Sequence, residues 1–284
     1  MKKKKKSSLV MLDAASNGSR VFVILSCIQL FLFTSCSKDD DPANGLIGYP
    51  TDLISTPIMT IDFSPSVAEF QTPINIETSN AEVFHSTDPE LHYGAVSLNS
   101  VANNNGENLR VNINSTDSFN NYFMVGGKKY NLVNFHFHYS SEHTINGQYS
   151  KMEIHFVNVS ADNSYAVLSV LVDLGTGNAA LQNLFAQSPT TSNGINSPNT
   201  TLNLLELFPN DTRQYYTYSG SLTTPNFNSN SALTDGGPVT WFVFKNKQQI
   251  SESQFNSYEG IYTEPNFRTI RPLNGRKVYL NPGY

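Results

Sequence analysis

The segment FHFHYSSEH, residues 135–143, places three histidines within nine residues of a chain that has only six. Side chains of an extended strand alternate between its two faces. The strand YNLVNFHFHY, 130–139, therefore puts Val133, Phe135, Phe137 and Tyr139 on one apolar face and Leu132, Asn134, His136 and His138 on the other. In the next strand, KMEIHFVNV, Met152, Ile154 and Phe156 face one way, and Glu153, His155 and Val157 the other. An Asn146-Gly147 turn joins the two as a hairpin and lays His155 beside His136 and His138. Three neutral imidazoles with a fourth position open form the donor set of a catalytic zinc site. Asn134 and Glu153 stand where they can take the second ring nitrogens. A lone histidine on a half-buried strand is usually just hydrogen-bonded. It is the convergence of three, with polar neighbours, that points to a metal. His85 and His92 fall outside this pattern and read as surface residues.

The elements that must position these groups are mostly strands. The chain has 284 residues, 39% of them hydrophobic, enough for one large core. Its apolar runs are rich in β-branched and aromatic residues. Strands are expected at 72–77, 109–114, 130–139, 151–159, 165–173, 215–219, 239–245 and 277–280. Two segments read as helices. Residues 178–187 carry Ala180, Leu181, Leu184 and Phe185 at helical spacing, and 251–258 opens with the capping-box pair Ser251 and Gln254. The Asn/Ser/Thr-rich stretch 188–200 reads as a loop. No internal repeat is present. A net charge of −5 without a basic stripe excludes nucleic acid as a partner.

The first residues read as a targeting segment. Lys2 to Lys6 and Arg20 precede the apolar run VFVILSCIQLFLFTSC, 21–36. Its end, Phe33-Thr34-Ser35-Cys36, resembles a bacterial lipoprotein processing site. That assigns 1–35 to a signal peptide, 36–60 to a lipidated Cys36 and flexible tether, and 61–284 to a single folded domain. Ser37 after Cys36 resembles outer-membrane sorting. Asp39-Asp40-Asp41 resembles the surface-export signal of some Gram-negative lipoproteins. The expected location is the outer membrane or cell surface, with a periplasm-facing orientation also compatible. The only cysteines are Cys27, inside the segment to be removed, and Cys36, so the mature domain carries no disulfide.

FHFHYSSEHTINGQYSKMEIHFV resembles the alpha class of carbonic anhydrases, in a bacterial lipoprotein form. Gln71-Thr72-Pro73-Ile74-Asn75-Ile76, Tyr165-Ala166-Val167-Leu168, Tyr218-Ser219-Gly220-Ser221-Leu222-Thr223-Thr224-Pro225, Thr240-Trp241 and Asn266-Phe267-Arg268 extend the resemblance, in order, over about 68–280. The resemblance implies a mainly β domain with a central, twisted, mostly antiparallel sheet of about ten strands and a few short helices. It implies Zn2+ on His136, His138 and His155, and reversible hydration of carbon dioxide to bicarbonate by hydroxide formed on the metal. Asn134, the Asn266 carbonyl and Glu153 match the partners of the first, second and third ligands. Thr223 and Glu142 match the pair that orients the nucleophile, and His143 and Tyr218 a network around Glu153. Val157, Val167, Leu222 and Trp241 match the wall where carbon dioxide rests, with Thr224 at the mouth.

The chain departs from the family pattern in places. Glu107 stands where the family usually has a proton-shuttling histidine. A solvated carboxylate of pKa about 4.3 is a poor acceptor from a zinc water near 7, and it serves only if burial raises it. The Trp- and Tyr-rich N-terminal segment of the family is missing, Asn226 replaces its second proline, and its common disulfide is gone. A non-catalytic cell-surface binding module of the same fold is the alternative. Such relatives typically lose a zinc histidine, whereas this chain keeps all three. A zinc peptidase finds no support, since no HExxH helix is present. With Glu107 in the shuttle position, turnover is expected to rise as imidazole buffer is added. Stopped-flow rates that stay flat across an imidazole series would contradict this.

Overall fold

The alternation expected at 130–139 holds for the second half of the strand and breaks in the first. Val157 pairs with Asn134, but the next residue, Asn158, pairs with Leu132, so Val133 is an extra residue. Such a bulge moves everything before it to the opposite face. Tyr130 and Leu132 therefore join Phe135 and Phe137 in the buried core, while Val133 is only half-buried. The expected placement of Leu132 and Val133 is thus reversed, and that of His136 and His138 is unaffected.

The structure, a computed structural model, describes residues 70–85, 89–223, 226–227, 233–234 and 239–283. The leader 1–35, Cys36, the tether to residue 60, the expected domain start at 61, Thr224 and the Asn226 side chain lie outside the described residues. The principal strands are β1 (Val101–Asn104), β2 (Asn108–Asn112), β3 (Lys128–His138), β4 (Met152–Ser160), β5 (Tyr165–Leu174), β6 (Tyr215–Gly220), β7 (Val239–Phe244) and β8 (Tyr279–Asn281). They lie side by side in the order β1-β2-β3-β4-β5-β7-β6-β8. The short strands Ile195–Asn196 and Glu82–Val83 extend the two edges to a path of ten. Neighbours are antiparallel except β5 with β7, β5 with Gln248–Ile250, and β8 with Glu82–Val83. The Ile195–Asn196 pairing with β1 puts a strand inside the stretch 188–200 that reads as a loop. Of the expected strand 72–77, Asn75–Ile76 forms a ladder in a separate small sheet with Thr144–Ile145 and Gln148–Tyr149, and Ile74 makes an isolated bridge to Arg271.

Turn chemistry sets the registers. Asn146-Gly147, which joins the short strands Thr144–Ile145 and Gln148–Tyr149 within the β3–β4 connection, holds positive φ at both positions, the conformation that a two-residue hairpin demands, and Asn105 and Gly106 do the same within the three-residue turn 105–107 between β1 and β2. The helices α1 (Ala179–Phe185) and α2 (Glu252–Glu259) fall where periodicity and capping place them. Both hydrogen bonds of the Ser251–Gln254 capping box are made. Ala180, Leu181, Leu184 and Phe185 are all buried.

The sheet has an apolar cluster on each face. Phe135, Phe137, Ile154, Phe156, Leu168 and Phe242 belong to the larger one, beneath α1 and α2. Phe135 and Phe156 stack at 5.5 Å across the β3–β4 ladder. Val157, Val167, Leu171, Tyr218 and Trp241 belong to the smaller cluster. His136, His138, Glu153 and His155 occupy the same face as the smaller cluster, on the central strands. Burying aromatics on the larger face contributes about 1.5–3 kcal/mol each, and that packing holds the strands from which the histidines project.

The end of β6 passes so close to the 71–73 segment that only glycine fits. A Cβ on Gly220 would lie 2.0 Å from Thr72 Oγ1 and 3.0 Å from the Tyr218 ring. Gly220→Ala should therefore cost about 1–3 kcal/mol of overpacking. Thermal unfolding should show a Tm lower by about 2–10 °C; an unchanged Tm would show that this approach is not tight.

Candidate metal centre

β3 and β4 meet in a register that opposes His136 to His155 and His138 to Glu153. Directly paired residues share a face, so three imidazoles converge. Their ring centroids lie 5.0, 5.3 and 4.7 Å apart. One nitrogen from each ring lies within 4.8 Å of the other two. The remaining nitrogens are tied down. His136 Nδ1 lies 3.1 Å from Asn134 Oδ1, His138 Nδ1 2.8 Å from the Asn266 carbonyl, and His155 Nε2 2.7 Å from Glu153 Oε1. Each of these acceptors takes an N–H, which fixes the tautomer and leaves His136 Nε2, His138 Nε2 and His155 Nδ1 as lone-pair donors.

These residues fit a zinc ion. His138 Nε2 is buried and has no hydrogen-bond partner, and a buried polar atom rarely goes unsatisfied without a function. Burial lowers the pKa of all three rings, and for His136 neighbouring His138, His155 and Arg110 lower it further. They are neutral at neutral pH, as metal ligands must be. His143, Glu153 and His155 also cluster within 4.8 Å, but His143 Nδ1 and His155 Nε2 are already hydrogen-bonded to Glu153 Oε1.

Glu153 is the hub of that second cluster. Its Oε2 accepts from the backbone N–H groups of Glu142 and His143, each at 2.8 Å. Its Oε1 takes His143 Nδ1 and His155 Nε2 at 2.7 Å and the Ser169 hydroxyl at 2.6 Å. Burial pushes this carboxyl up, but the neighbouring His143 and His155 rings and the hydrogen bonds they make outweigh it and hold the group well below the usual range. On the far side His143 Nε2 meets the Tyr218 hydroxyl at 2.7 Å, and that hydroxyl lies 3.1 Å from Thr72 Oγ1.

Glu142 is the opposite case. Burial dominates and raises its pKa, against the hydrogen bonds from the Thr223 hydroxyl and the Arg268 N–H. The Arg268 N–H reaches Glu142 Oε1 at 2.8 Å. Asn266 pins the end of β3 beyond its carbonyl contact. Its Oδ1 accepts from Tyr139 N–H at 2.9 Å, and its Nδ2 donates to the Phe137 carbonyl at 3.0 Å.

A cleft opens over His136 and His155. Val157, Val167, Leu222 and Trp241 form one wall, with Thr223 beside them. Asn104, Asn108, Arg110 and Asn134 form the other. Glu107 is not among the lining residues; it sits half-buried at the β1–β2 turn, not fully solvated, with its N–H on the Asn104 carbonyl at 2.9 Å. His85 and His92 are exposed and away from the cluster, His92 stacking on Tyr122 at 4.5 Å. Sequence reasoning missed Ser169 and Arg110. Both are cross-strand neighbours of histidines in the cluster, Ser169 of His155 and Arg110 of His136, a relation that only the full register reveals.

A twisted, mainly β sheet with three histidines at its centre and an apolar-walled cleft above them defines a carbonic anhydrase of the alpha class. Sequence comparison agrees: the family model described as eukaryotic-type carbonic anhydrase matches residues 62–282. The chain belongs to that family. A carbonic anhydrase of Klebsiella pneumoniae is 31% identical over 210 residues, 73% of this chain and 78% of that one. Human carbonic anhydrase 7 is 32% identical, covering 73% of this chain and 87% of its own. The alpha-carbonic anhydrase of Thermovibrio ammonificans, solved with the inhibitor sulfanilamide, superposes with a TM-score of 0.65 at 29% identity, over 75% of this chain and 88% of that one.

Replacing Glu153 by glutamine puts an amide donor against a ring of donors. E153Q should bind zinc about 10–100-fold more weakly, measured by competition with a chelator. The depressed Glu153 pKa contributes stability above the unfolded carboxylate range, lost as pH falls through the folded value. The acid side of the stability profile should accordingly be shallower in E153Q. Equal zinc affinity in the two proteins would remove Glu153 from the metal's support.

Proposed function

We propose that this protein catalyses the reversible hydration of carbon dioxide to bicarbonate and a proton, at a zinc ion held by His136, His138 and His155. The observation that carries this reading is the set of three neutral imidazoles, each with its second nitrogen tied down, facing an apolar wall within a chain of this family. Bound zinc lowers the pKa of water to about 7 and so supplies a nucleophile at neutral pH.

The protein's own groups do the rest. Asn134, the Asn266 carbonyl and Glu153 hold the three rings in their donor tautomers. Glu142 takes the Thr223 proton, so the Thr223 oxygen presents only lone pairs to the cleft. It accepts a hydrogen bond from the attacking water and aims it. Carbon dioxide is apolar and needs no hydrogen bond, so Val157, Val167, Leu222 and Trp241 suffice to hold it. The released proton meets no histidine among the cleft-lining residues beyond the ligands themselves, which makes external buffer the acceptor. We further propose that Cys36 carries a lipid anchor that places the domain at the outer membrane. The apolar run that ends at Phe33-Thr34-Ser35-Cys36 supports this.

Thr223→Ala should keep its zinc and lose about 100-fold in stopped-flow carbon dioxide hydration. Wild-type protein that carries zinc yet fails to hydrate carbon dioxide would instead favour a binding module. Cys36→Ser should move the protein from the membrane fraction to the soluble one; a variant that stays with the membrane would refute the anchor.

A further inference from the structure

On the site face of β5, Val167 and Leu171 belong to the smaller apolar cluster, and the residue between them on that face is Ser169. It is fully buried and stands between His155 on β4 and Val243 on β7. Alanine would continue the apolar stripe, whereas a hydroxyl withdrawn from water costs stability unless it is hydrogen-bonded. The Ser169 hydroxyl donates to Glu153 Oε1 at 2.6 Å. The carboxylate does not need that bond to be satisfied. An ionised carboxyl offers about four lone-pair sites. Glu153 already takes two backbone N–H groups on Oε2 and two imidazoles on Oε1. The hydroxyl is a fifth donor to the group and a third to Oε1, the oxygen that holds His155.

We propose that Ser169 is a positioning residue that tunes the zinc site through Glu153: by sharing Oε1 it moderates the pull of the carboxylate on the His155 Nε2–H and keeps that ring a neutral donor. The inference rests on the proposed function and deepens it. Donors that share one oxygen divide its electron density, so each bond is weaker than it would be alone. A carboxylate with fewer donors draws the His155 proton further and gives the opposite nitrogen, Nδ1, more imidazolate character. Such a ring is a more basic ligand and holds a metal more tightly. It also cancels more of the ion's positive charge, and that charge is what zinc contributes to the reaction. The hydroxyl therefore favours charge on the metal over tightness of holding. A serine kept only to fill space predicts the reverse, since removing it would loosen the support of the metal.

The test reads the hydrogen bond and the metal separately from turnover. Full-length, zinc-loaded protein with isotope-labelled histidines is compared with S169A and S169T by proton NMR. The rings of His143 and His155 are buried, and a stronger N–H···O bond deshields its proton. In S169A the ring N–H signals of both residues should move downfield. In S169T, which keeps the hydroxyl on a side chain suited to a strand, they should stay near their wild-type positions. Zinc should pass from S169A to a chelator about threefold more slowly than from the wild type, the scale of one hydrogen bond. S169C, whose thiol is a weaker donor, should fall between wild type and S169A, and carries the comparison if S169T does not fold. Signals that stay in place or move upfield in S169A would overturn the assignment. So would zinc that leaves S169A as fast as the wild type or faster, or a threonine variant that behaves like alanine. Absence of carbon dioxide hydration would sink the proposed function; the spectra and the zinc transfer decide Ser169 separately.

Discussion

One buried carboxylate organises the centre of this molecule. Glu153 accepts five hydrogen bonds, from two backbone N–H groups, two imidazoles and a hydroxyl. An ionised carboxylate with so little water is tolerable only when its lone pairs are filled. That condition dictates the surroundings. It fixes the path of the chain after β3, because the N–H groups of Glu142 and His143 must point inward. It also selects the tautomer of His155. Through His143 and Tyr218 it ties the central strands to Thr72, in the first segment the structure describes. Glu142 can then stand behind Thr223 with its own pKa raised by burial, and two carboxyls 11 residues apart are pushed in opposite directions.

The chemistry of the cleft changes across the strands rather than along them. One line of paired residues runs Asn112, Asn134, Val157, Val167, Trp241, Tyr218, from polar to apolar. The adjacent line runs Arg110, His136, His155, Ser169. No single strand holds this gradient; it arises because antiparallel and parallel ladders put residues distant in sequence side by side. The bulge at Val133 keeps it aligned. It lets Tyr130 and Leu132 serve the core while Asn134, His136 and His138 serve the site from the same strand.

How much of this could be read beforehand follows from the same geometry. Alternation in FHFH and KMEIHFV, with Asn146-Gly147 between them, was enough to bring His136, His138 and His155 together. Helical spacing and the Ser251–Gln254 box placed both longer helices. Alternation could not see the bulge, since inserting one residue leaves the composition unchanged while inverting the phase, so Leu132 and Val133 were read on the wrong faces. Pairs such as Ile195–Asn196 are strands by backbone pairing alone and carry no period to detect. Asn266 entered only through family resemblance, because a residue 128 positions from its partner leaves no local trace. Ser169 and Arg110 stayed hidden for want of the register.

Those long spans bear on the order in which the protein can be made. The Asn266 carbonyl that orients His138 lies 128 residues further along the chain, and Arg268 reaches back 196 residues to the Thr72 carbonyl. Loop closure of that length is slow. A chain emerging from the ribosome carries all three histidines of the cluster well before the residue that aims the second of them. The orientation of His138 is thereby coupled to completion of the C-terminal quarter, and a prematurely terminated chain would possess the three histidines without the carbonyl that aims the second. The topology thus makes the aim of His138 wait on the last segment of the chain.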